Sequence, residues 1–319
     1  MPDWLVEEGI AEHRAVRIER GRIAEACVEW PGALAAGWVI DARLVARSAG
    51  SARGTALADN GEELLIDRLP REASEGSTLR LAVTRGALGT PGRTKRAQAR
   101  PCEAALARPS LAERIDAQVV RRFPVEGWDE LIGEVLAGEV AFAGGTLLPA
   151  PTPAMTTVDI DGDLAPRPLA LAAVAPLAAM LRRFGLAGSL AIDFPTLAEK
   201  ADRRAVDDAL GLALADWPHE RTAMNGFGLV QIVARLDRPS LLHRATWQRA
   251  GLVWRDLLRR AERLDGAGAI ELVMHPWLER AVGADHLAQL ERRTGRRISL
   301  RMDPDLARDA PHAQSIDNG

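Results

Sequence analysis

Two short strand-like segments separated by a helical segment constrain the fold of this 319-residue chain more than any other feature. In the first, residues 155–161, Asp159 and Asp161 alternate with apolar residues, and in the second, residues 190–194, Asp193 follows an apolar run. Successive side chains of a strand point to opposite faces. A strand–helix–strand unit of this length most often forms two adjacent parallel strands. We therefore expect the three aspartates at the carboxyl ends of neighbouring strands, where open α/β sheets place their sites.

Carboxylates that lie this close repel one another unless a cation lies between them. Oxygen ligands suit Mg²⁺ or Mn²⁺, and Mg²⁺ takes one or two carboxylates together with waters and substrate phosphate. Such an ion polarises a phosphoryl oxygen and lowers the pKa of a bound water, as phosphodiester hydrolysis requires. The aspartates therefore indicate a hydrolytic metal site. The open alternative is an ordinary strand that runs into a turn and binds no metal.

The same two segments carry a specific motif. The sequences MTTVDID at residues 155–161 and AIDF at residues 191–194 resemble the catalytic core of the ribonuclease E/G family, in which MTTVDIN and IDF strands carry the Mg²⁺ ligands. Weaker similarity follows in order through most of the chain, at residues 4–29, 123–150, 221–230 and 254–304. The resemblance implies a Mg²⁺-dependent endoribonuclease that hydrolyses single-stranded RNA and leaves 5′-phosphate and 3′-hydroxyl ends.

In this resemblance, Asp159 and Asp193 ligate the metal, and Asp161 takes the position of the family's usual asparagine. The added charge at Asp161 has three open consequences. It tightens metal binding, shifts the preference from Mg²⁺ toward Mn²⁺, or spoils the geometry of the attacking water.

The resemblance also implies an α/β (α+β) fold of several subdomains. The expected divisions are an RNase H-like subdomain in two parts (residues 1–35 and 102–148), an OB-fold RNA-binding domain (36–101), a DNase I-like catalytic subdomain (149–245), a small C-terminal α/β domain (246–308) and a flexible tail (309–319). The residues support the barrel independently, since about five short β runs between residues 37 and 100 suit an OB-type barrel, a frequent single-strand binder.

Three accessory features of the family are missing. The stretch between Arg100 and Phe123 is too short for the domain that recognises a 5′-monophosphate. The phenylalanines that stack on bases in the family's barrel are matched by Leu57 and Leu65. The zinc-linking CPxC motif is also missing, so we expect no zinc, a surface position for the nearby His243, and any homo-oligomer to form through the C-terminal domain.

Two groups of basic residues are candidate RNA contacts. Arg221 begins a strand whose family counterpart carries a basic residue near the substrate, where a guanidinium holds a phosphate through two hydrogen bonds. The other group is a basic run beside the barrel: Arg93, Lys95, Arg96 and Arg100. The open alternatives are a surface arginine at 221 and a solvated edge strand for the run.

Local patterns predict helices over residues 110–122, 168–184, 200–216, 247–264 and 284–294. Ser110 and Glu113 are expected to form a capping box for the first helix, and Thr196 and Glu199 for the third. In the third helix, Leu212 is expected to face the core and Asp207 to be solvated.

Composition excludes several classes of protein. A net charge of −3 provides no overall basicity, so an RNA surface must be a local patch. No stretch of about 18 apolar residues is uninterrupted, which indicates no membrane span. The first residues show no basic segment followed by an apolar run, and Cys27 and Cys102 suggest no pairing. We therefore expect a cytoplasmic protein with reduced thiols.

Three functions remain open. A compact Mg²⁺-dependent endoribonuclease leads, because unneeded like charges destabilise a fold and the aspartates are nevertheless present. A catalytically degenerate RNA-binding paralogue is favoured by the missing accessory features. An unrelated metal-dependent phosphodiesterase that acts on small molecules is the third.

Overall fold

The computed structural model describes residues 4–90 and 93–316, with the side chains of all of these except Thr90, Arg93 and Thr94. The strands follow in this order: β1 (Trp4–Glu8), β2 (His13–Glu19), β3 (Arg22–Glu29), β4 (Val39–Arg47), β5 (Arg53–Leu57), β6 (Glu63–Asp67), β7 (Thr78–Arg85), β8 (Leu88–Thr90), β9 (Arg93–Lys95), β10 (Ala97–Pro101), β11 (Ala117–Val119), β12 (Val140–Phe142), β13 (Gly145–Pro151), β14 (Thr156–Gly162), β15 (Gly188–Asp193), β16 (His219–Arg221), β17 (Leu229–Ala234), β18 (Ala269–Met274), β19 (Ile298–Met302) and β20 (His312–Ile316). The helices are α1 (Leu111–Arg114), α2 (Trp128–Ala137), α3 (Pro166–Arg183), α4 (Lys200–Ala213), α5 (Leu241–Trp247), α6 (Arg249–Glu262), the 3-10 helix Pro276–Ala281 and α7 (Ala284–Thr294).

A closed barrel is inserted into the chain path of the amino-terminal sheet. That sheet has the order β11-β1-β2-β3, and the barrel β10-β6-β5-β4-β7 is formed by the chain between β3 and β11. Alternation at period two builds the barrel core, since Leu64 and Ile66 of β6 are buried while Leu65 between them is exposed. The expected mixed α/β architecture with a five-stranded barrel is confirmed.

The central sheet carries the predicted strand–helix–strand unit. Its order is β12-β13-β14-β15-β17-β16, and β14 and β15 are parallel neighbours, as expected. Val158, Ile160 and Ile192 are buried and belong to the same apolar core as residues of α3 and α4. These helices therefore cover one face of the sheet. Strand β13 runs across the expected boundary between residues 148 and 149.

The carboxyl-terminal unit combines the sheet β19-β18-β20 with α6, α7 and the 3-10 helix. The expectation of a flexible tail from residue 309 is wrong for residues 312–316, which form β20 and pair antiparallel with β18. The polar composition of this segment does not indicate a strand. Side-chain contacts add to the backbone pairing that holds it. Gln314 Nε2 donates to Glu271 at 2.8 Å, and Arg296 Nη2 donates to Ser315 Oγ at 2.6 Å.

The predicted helix over residues 110–122 is reduced to the single turn α1. Its capping box is confirmed, since the Ser110 amide donates to Glu113 Oε2 at 2.7 Å and the Glu113 amide donates to Ser110 Oγ at 3.2 Å. The chain then reverses at Asp116, with φ of 51°, into β11, which pairs with β1. Sheet pairing therefore replaces the helix that local propensity favours.

Helix α4 differs from its prediction in three details. Thr196 and Glu199 form no capping box, because Thr196 Oγ1 donates instead to the Phe227 carbonyl at 3.4 Å and Glu199 caps without a side-chain bond. Leu212 is 82% exposed rather than buried. Asp207 is not solvated, because it accepts hydrogen bonds from Arg221.

His243 is buried, so its predicted surface position is wrong. It lies in α5, where its Nδ1 is 2.8 Å from Ser240 Oγ in a capping box, and its ring packs on Trp247 with centroids 4.8 Å apart. Burial, assisted by the charges of Lys95 and Arg244, lowers the pKa of His243 to about 4.

This shift predicts how stability depends on pH. Above pH 6.5, the ordinary histidine pKa, His243 is neutral in both the folded and unfolded chains. Between pH 6.5 and about 4 the unfolded chain binds a proton that the folded chain does not, so the free energy of unfolding falls by up to about 1.4 kcal/mol per pH unit. His243→Gln keeps the capping box and removes this titration. Denaturation of both proteins from pH 7 to 4.5 should show the shallower decline in the variant, and parallel profiles would contradict this assignment.

Two further sequence expectations are tested by the described residues. Cys27 and Cys102 are both free thiols, as predicted. Among residues 4–90 and 93–316, no helix combines the length and the apolar character that crossing a bilayer requires.

Candidate active site

Asp159 and Asp193 are directly paired residues of β14 and β15. Neighbouring strands lie about 4.8 Å apart, and paired residues of parallel strands leave the sheet on the same face. Both side chains are exposed, whereas Val158 and Ile192, which precede them, are buried under the helices. The structure therefore brings these two carboxylates together on the open face, at the last residue of β15 and at the point in β14 where the pairing of the two strands ends.

Asp161 lies on the same face but one step further along β14. The pairing of β14 with β15 ends at Asp159, so Asp161 has only Thr146 of β13 opposite it. Its Oδ1 accepts the amide N–H of Gly162 at 2.9 Å. Within the described part of the chain, no group of three or more histidine, cysteine, aspartate or glutamate side chains is placed to hold a metal ion.

The two paired carboxylates still fit a magnesium ion, because Mg²⁺ is commonly bound by one or two carboxylates and completes its octahedron with water and phosphate oxygens. Asp159 and Asp193 supply such a pair. Their exposure leaves room for the water ligands and for a phosphate.

A tight loop, residues 222–228, lies beside the end of β15. The Oδ1 of Asn225 accepts the amide N–H groups of Phe227 and Leu229 at 2.9 and 3.1 Å. The Gly228 carbonyl accepts the amide N–H of Phe194, the residue after Asp193, at 3.2 Å. Gly228 has a φ of 92°, and a Cβ there would lie 2.2 Å from the Phe194 oxygen, so this close approach requires glycine.

Phe227, at the tip of this loop, is 82% exposed. It lies within the similarity at residues 221–230 and has no predicted role there. The signal that was available is the Asn-Gly-Phe-Gly sequence, since asparagine and glycine favour a turn that leaves the phenylalanine at its tip.

Arg221 is not brought to the carboxylates. It pairs with Ile232 of β17, whose side chain is buried, so Arg221 leaves the sheet on the helix-covered face. Its Nη1 lies 3.0 Å from Asp207 Oδ1, and its Nη2 donates to the Asp207 carbonyl at 2.8 Å. Asp207 also accepts the amide N–H of Met224. Arg221 therefore fastens α4 to the loop that carries Phe227, and this placement does not fit contact with the scissile phosphate.

The predicted basic run is divided between two places. Arg96 lies on the outside of the barrel, where its Nε is 2.8 Å from Glu63 Oε2, and Arg100 is exposed on β10. Lys95 is half-buried in the β8–β9 hairpin, where its charge acts on His243. The side chain of Arg93 lies outside the described residues.

Leu57 and Leu65 lie on the outer face of the barrel. Leu65 pairs with Thr55, whose hydroxyl accepts a hydrogen bond from Arg96 at 3.3 Å, so the leucines and this arginine share one surface. Leu65 is 37% exposed and Leu57 is half-buried. We call this surface, with Arg100, the barrel face.

A scan against protein-family models finds no match for this chain, and a search of curated proteins finds none. The resemblance to the ribonuclease E/G family therefore rests on the motif residues of β14 and β15 and on the order of the weaker similarities.

Proposed function

We propose that this chain is a Mg²⁺-dependent endoribonuclease of the ribonuclease E/G type that hydrolyses single-stranded RNA. The pairing of Asp159 with Asp193 on an open sheet face supports this proposal most directly. The motif around these residues is the most specific part of the family resemblance. The proposal also assigns the closed barrel to RNA binding, as an OB-type domain, and the central sheet to the DNase I-like catalytic subdomain.

In the proposed reaction, Asp159 and Asp193 would hold the metal. A bound Mg²⁺, or Mn²⁺ in its place, would supply polarisation of a phosphoryl oxygen and a lower pKa for a bound water. Asp161 keeps its Oδ2 for a water on the same face, because its Oδ1 is occupied by the Gly162 amide. The open sheet face admits an extended strand, which suits an endonuclease better than an enzyme with an enclosed small-molecule pocket.

A second candidate, an RNA-binding protein without catalysis, is favoured by the position of Arg221. The side chain that would hold the scissile phosphate is engaged with Asp207 on the opposite face. The barrel face would then account for RNA binding without a reaction.

Incubation of the protein with an end-labelled single-stranded RNA distinguishes these candidates. The endoribonuclease is expected to cleave internally with Mg²⁺ or Mn²⁺, to stop with EDTA and to leave 5′-phosphate ends. Binding of the RNA without cleavage in either metal would support the second candidate, and neither binding nor cleavage would contradict both.

The barrel face gives a separate prediction about RNA affinity. Phenylalanines at Leu57 and Leu65 are expected to tighten binding of a short RNA about fivefold or more, because base stacking contributes about 1–3 kcal/mol per base. The salt dependence should stay unchanged, since its slope counts phosphate contacts, at about −0.7 per contact on single strands. The measurement is binding of a fluorescent RNA to Asp159→Asn protein across a salt series.

Leu300→Phe is the matched control, because Leu300 has nearly the same exposure as Leu65, 38% against 37%, but lies on β19. Equal tightening by Leu300→Phe would show that any added surface aromatic suffices and would remove the barrel face from the RNA path.

A further inference from the structure

Phe227 presents a large apolar ring to solvent from the loop that adjoins the end of β15, the strand that carries Asp193. Its exposed fraction is 82%, although phenylalanine is among the residue types most often fully buried. The ring has no polar atom, so exposure forgoes the hydrophobic stabilisation that burial gives. Such a ring is available to a ligand with a flat apolar surface.

The ring is not needed to shape its own loop. The loop is held by the Asn225 side chain, by the Gly228 contact with Phe194, and by Thr196 Oγ1, which donates to the Phe227 carbonyl. Two of these bonds use the backbone of Phe227 and the third uses that of Gly228, and none uses the Phe227 side chain. Because the loop is ordered before a ligand arrives, little ordering of the loop opposes binding.

The position of the loop connects the ring with the carboxylates. Asp193 is paired with Leu229, two residues after Phe227. The carbonyl of Phe227 itself contacts Thr196, three residues after Asp193. The Phe227 loop therefore adjoins the strand end that carries Asp193, where a nucleic-acid strand with a phosphate at the carboxylates would pass.

We infer that Phe227 stacks on an unpaired base next to the scissile phosphate, and so selects single-stranded RNA at the point of cleavage. This inference rests on the proposed endoribonuclease function. Aromatic side chains stack on any base, because every base has a π face. In a duplex both faces of a base are already stacked, and extruding a base has an added free-energy cost. The ring therefore favours unpaired positions without requiring a particular base.

The test combines Phe227→Ala with an RNA that has one defined cleavage site and a single abasic nucleotide, moved one position at a time across that site. Loss of stacking is expected to lower kcat/KM about 10-fold in Phe227→Ala. In the wild type, the abasic nucleotide should cause a similar loss at one position next to the cut. In Phe227→Ala that position should cause no further loss, because the two changes remove the same contact.

Two variants control for other effects. Leu212→Ala removes an equally exposed apolar side chain, also 82% exposed, from α4 on the other side of the sheet, and should cleave like the wild type. Phe227→Trp keeps a stacking surface and should retain the wild-type rate and the abasic pattern. Wild-type kcat/KM in Phe227→Ala, or losses that multiply at every abasic position, would overturn the inference.

The same combination of Phe227→Ala with abasic RNAs, measured as RNA binding to Asp159→Asn protein, separates this inference from the proposed function. If the wild type cleaves no RNA but the abasic position and Phe227→Ala are coupled in binding, the endoribonuclease proposal fails and the stacking contact stands. If RNA is cleaved and no coupling is found at any position, the stacking contact fails and the enzyme stands.

Discussion

Asp159→Asn and Asp193→Asn are each expected to lower kcat/KM for RNA cleavage by at least about 100-fold in Mg²⁺. Each substitution removes one of the two paired carboxylates that are proposed to hold the metal. Metal-ion catalysis contributes several kcal/mol, and about 1.4 kcal/mol corresponds to a tenfold change in rate. Both side chains are exposed, so neither change removes core volume. The midpoint temperature of thermal unfolding without metal should therefore not fall.

Asp208→Asn is the matched control for the loss of charge. Asp208 is also exposed, but it lies on α4, which packs against α3 on the opposite side of the sheet. Its cleavage rate should match that of the wild type across a Mg²⁺ titration. Near wild-type cleavage by Asp159→Asn or Asp193→Asn would show that the metal site lies elsewhere.

Asp161→Asn answers a different question, because it introduces the asparagine that the ribonuclease E/G motif has at the matching position. A changed preference between Mg²⁺ and Mn²⁺ in this variant would identify a role for the Asp161 charge in metal binding. A changed maximal rate with the same metal preference would indicate a role in positioning water instead.

The carboxylate pair could be predicted because it depends on local rules. Period-two alternation determines which side chains share a face, and a strand–helix–strand connection makes the two strands parallel. The barrel could be predicted for the same reason, since its strands alternate between the core and the outer face. The register that places Asp159 opposite Asp193 is consistent with both rules.

Arg221 and Phe227 could not be assigned in this way, because their surroundings are set by distant segments. Arg221 faces away from the carboxylates because β16 pairs with β17 in the register that puts it opposite Ile232. Its partner, Asp207, is on a helix that precedes it in the chain. A pattern read along one strand contains neither fact. The exposure of Phe227 likewise depends on the two hydrogen bonds that join residues 194–196 to residues 227–228.

Replacing Arg14 with methionine is expected to lower the free energy of unfolding by about 3–5 kcal/mol, the usual effect of removing one partner from a buried ion pair. Arg14 is 2% exposed. Its Nη1 lies 3.1 Å from Glu7 Oε2 and its Nε 2.9 Å from Glu12 Oε1, and both glutamates are buried. Methionine fills similar volume, so the expected loss comes from two buried carboxylates that each lose Arg14 as a partner.

The remaining contacts of these glutamates explain why the loss should spread beyond β2. Glu7 also accepts the Phe123 amide N–H at 2.6 Å and a hydrogen bond from Arg263, just past the end of α6. Glu12 also accepts the indole N–H of Trp30 at 3.0 Å. The cluster therefore joins the amino-terminal sheet to the carboxyl-terminal unit. We expect the fluorescence of Trp30 to change when the cluster unfolds, because its indole is bonded to Glu12.

Arg53→Met is the control for this prediction. Arg53 is paired with Asp67 at 3.1 Å, but its side chain is 74% exposed, and exposed ion pairs contribute about 0–1 kcal/mol. Chemical denaturation followed by circular dichroism and tryptophan fluorescence should therefore separate the two variants by at least about 2 kcal/mol. Equal losses would mean that the buried carboxylates find other partners. The double variant Arg14→Met/Glu12→Gln then distinguishes the two explanations, because it also removes the Glu12 charge. If the carboxylates find other partners, the double variant should be no more stable than Arg14→Met. If the unpaired Glu12 charge is what destabilises the fold, the double variant should recover part of the lost stability.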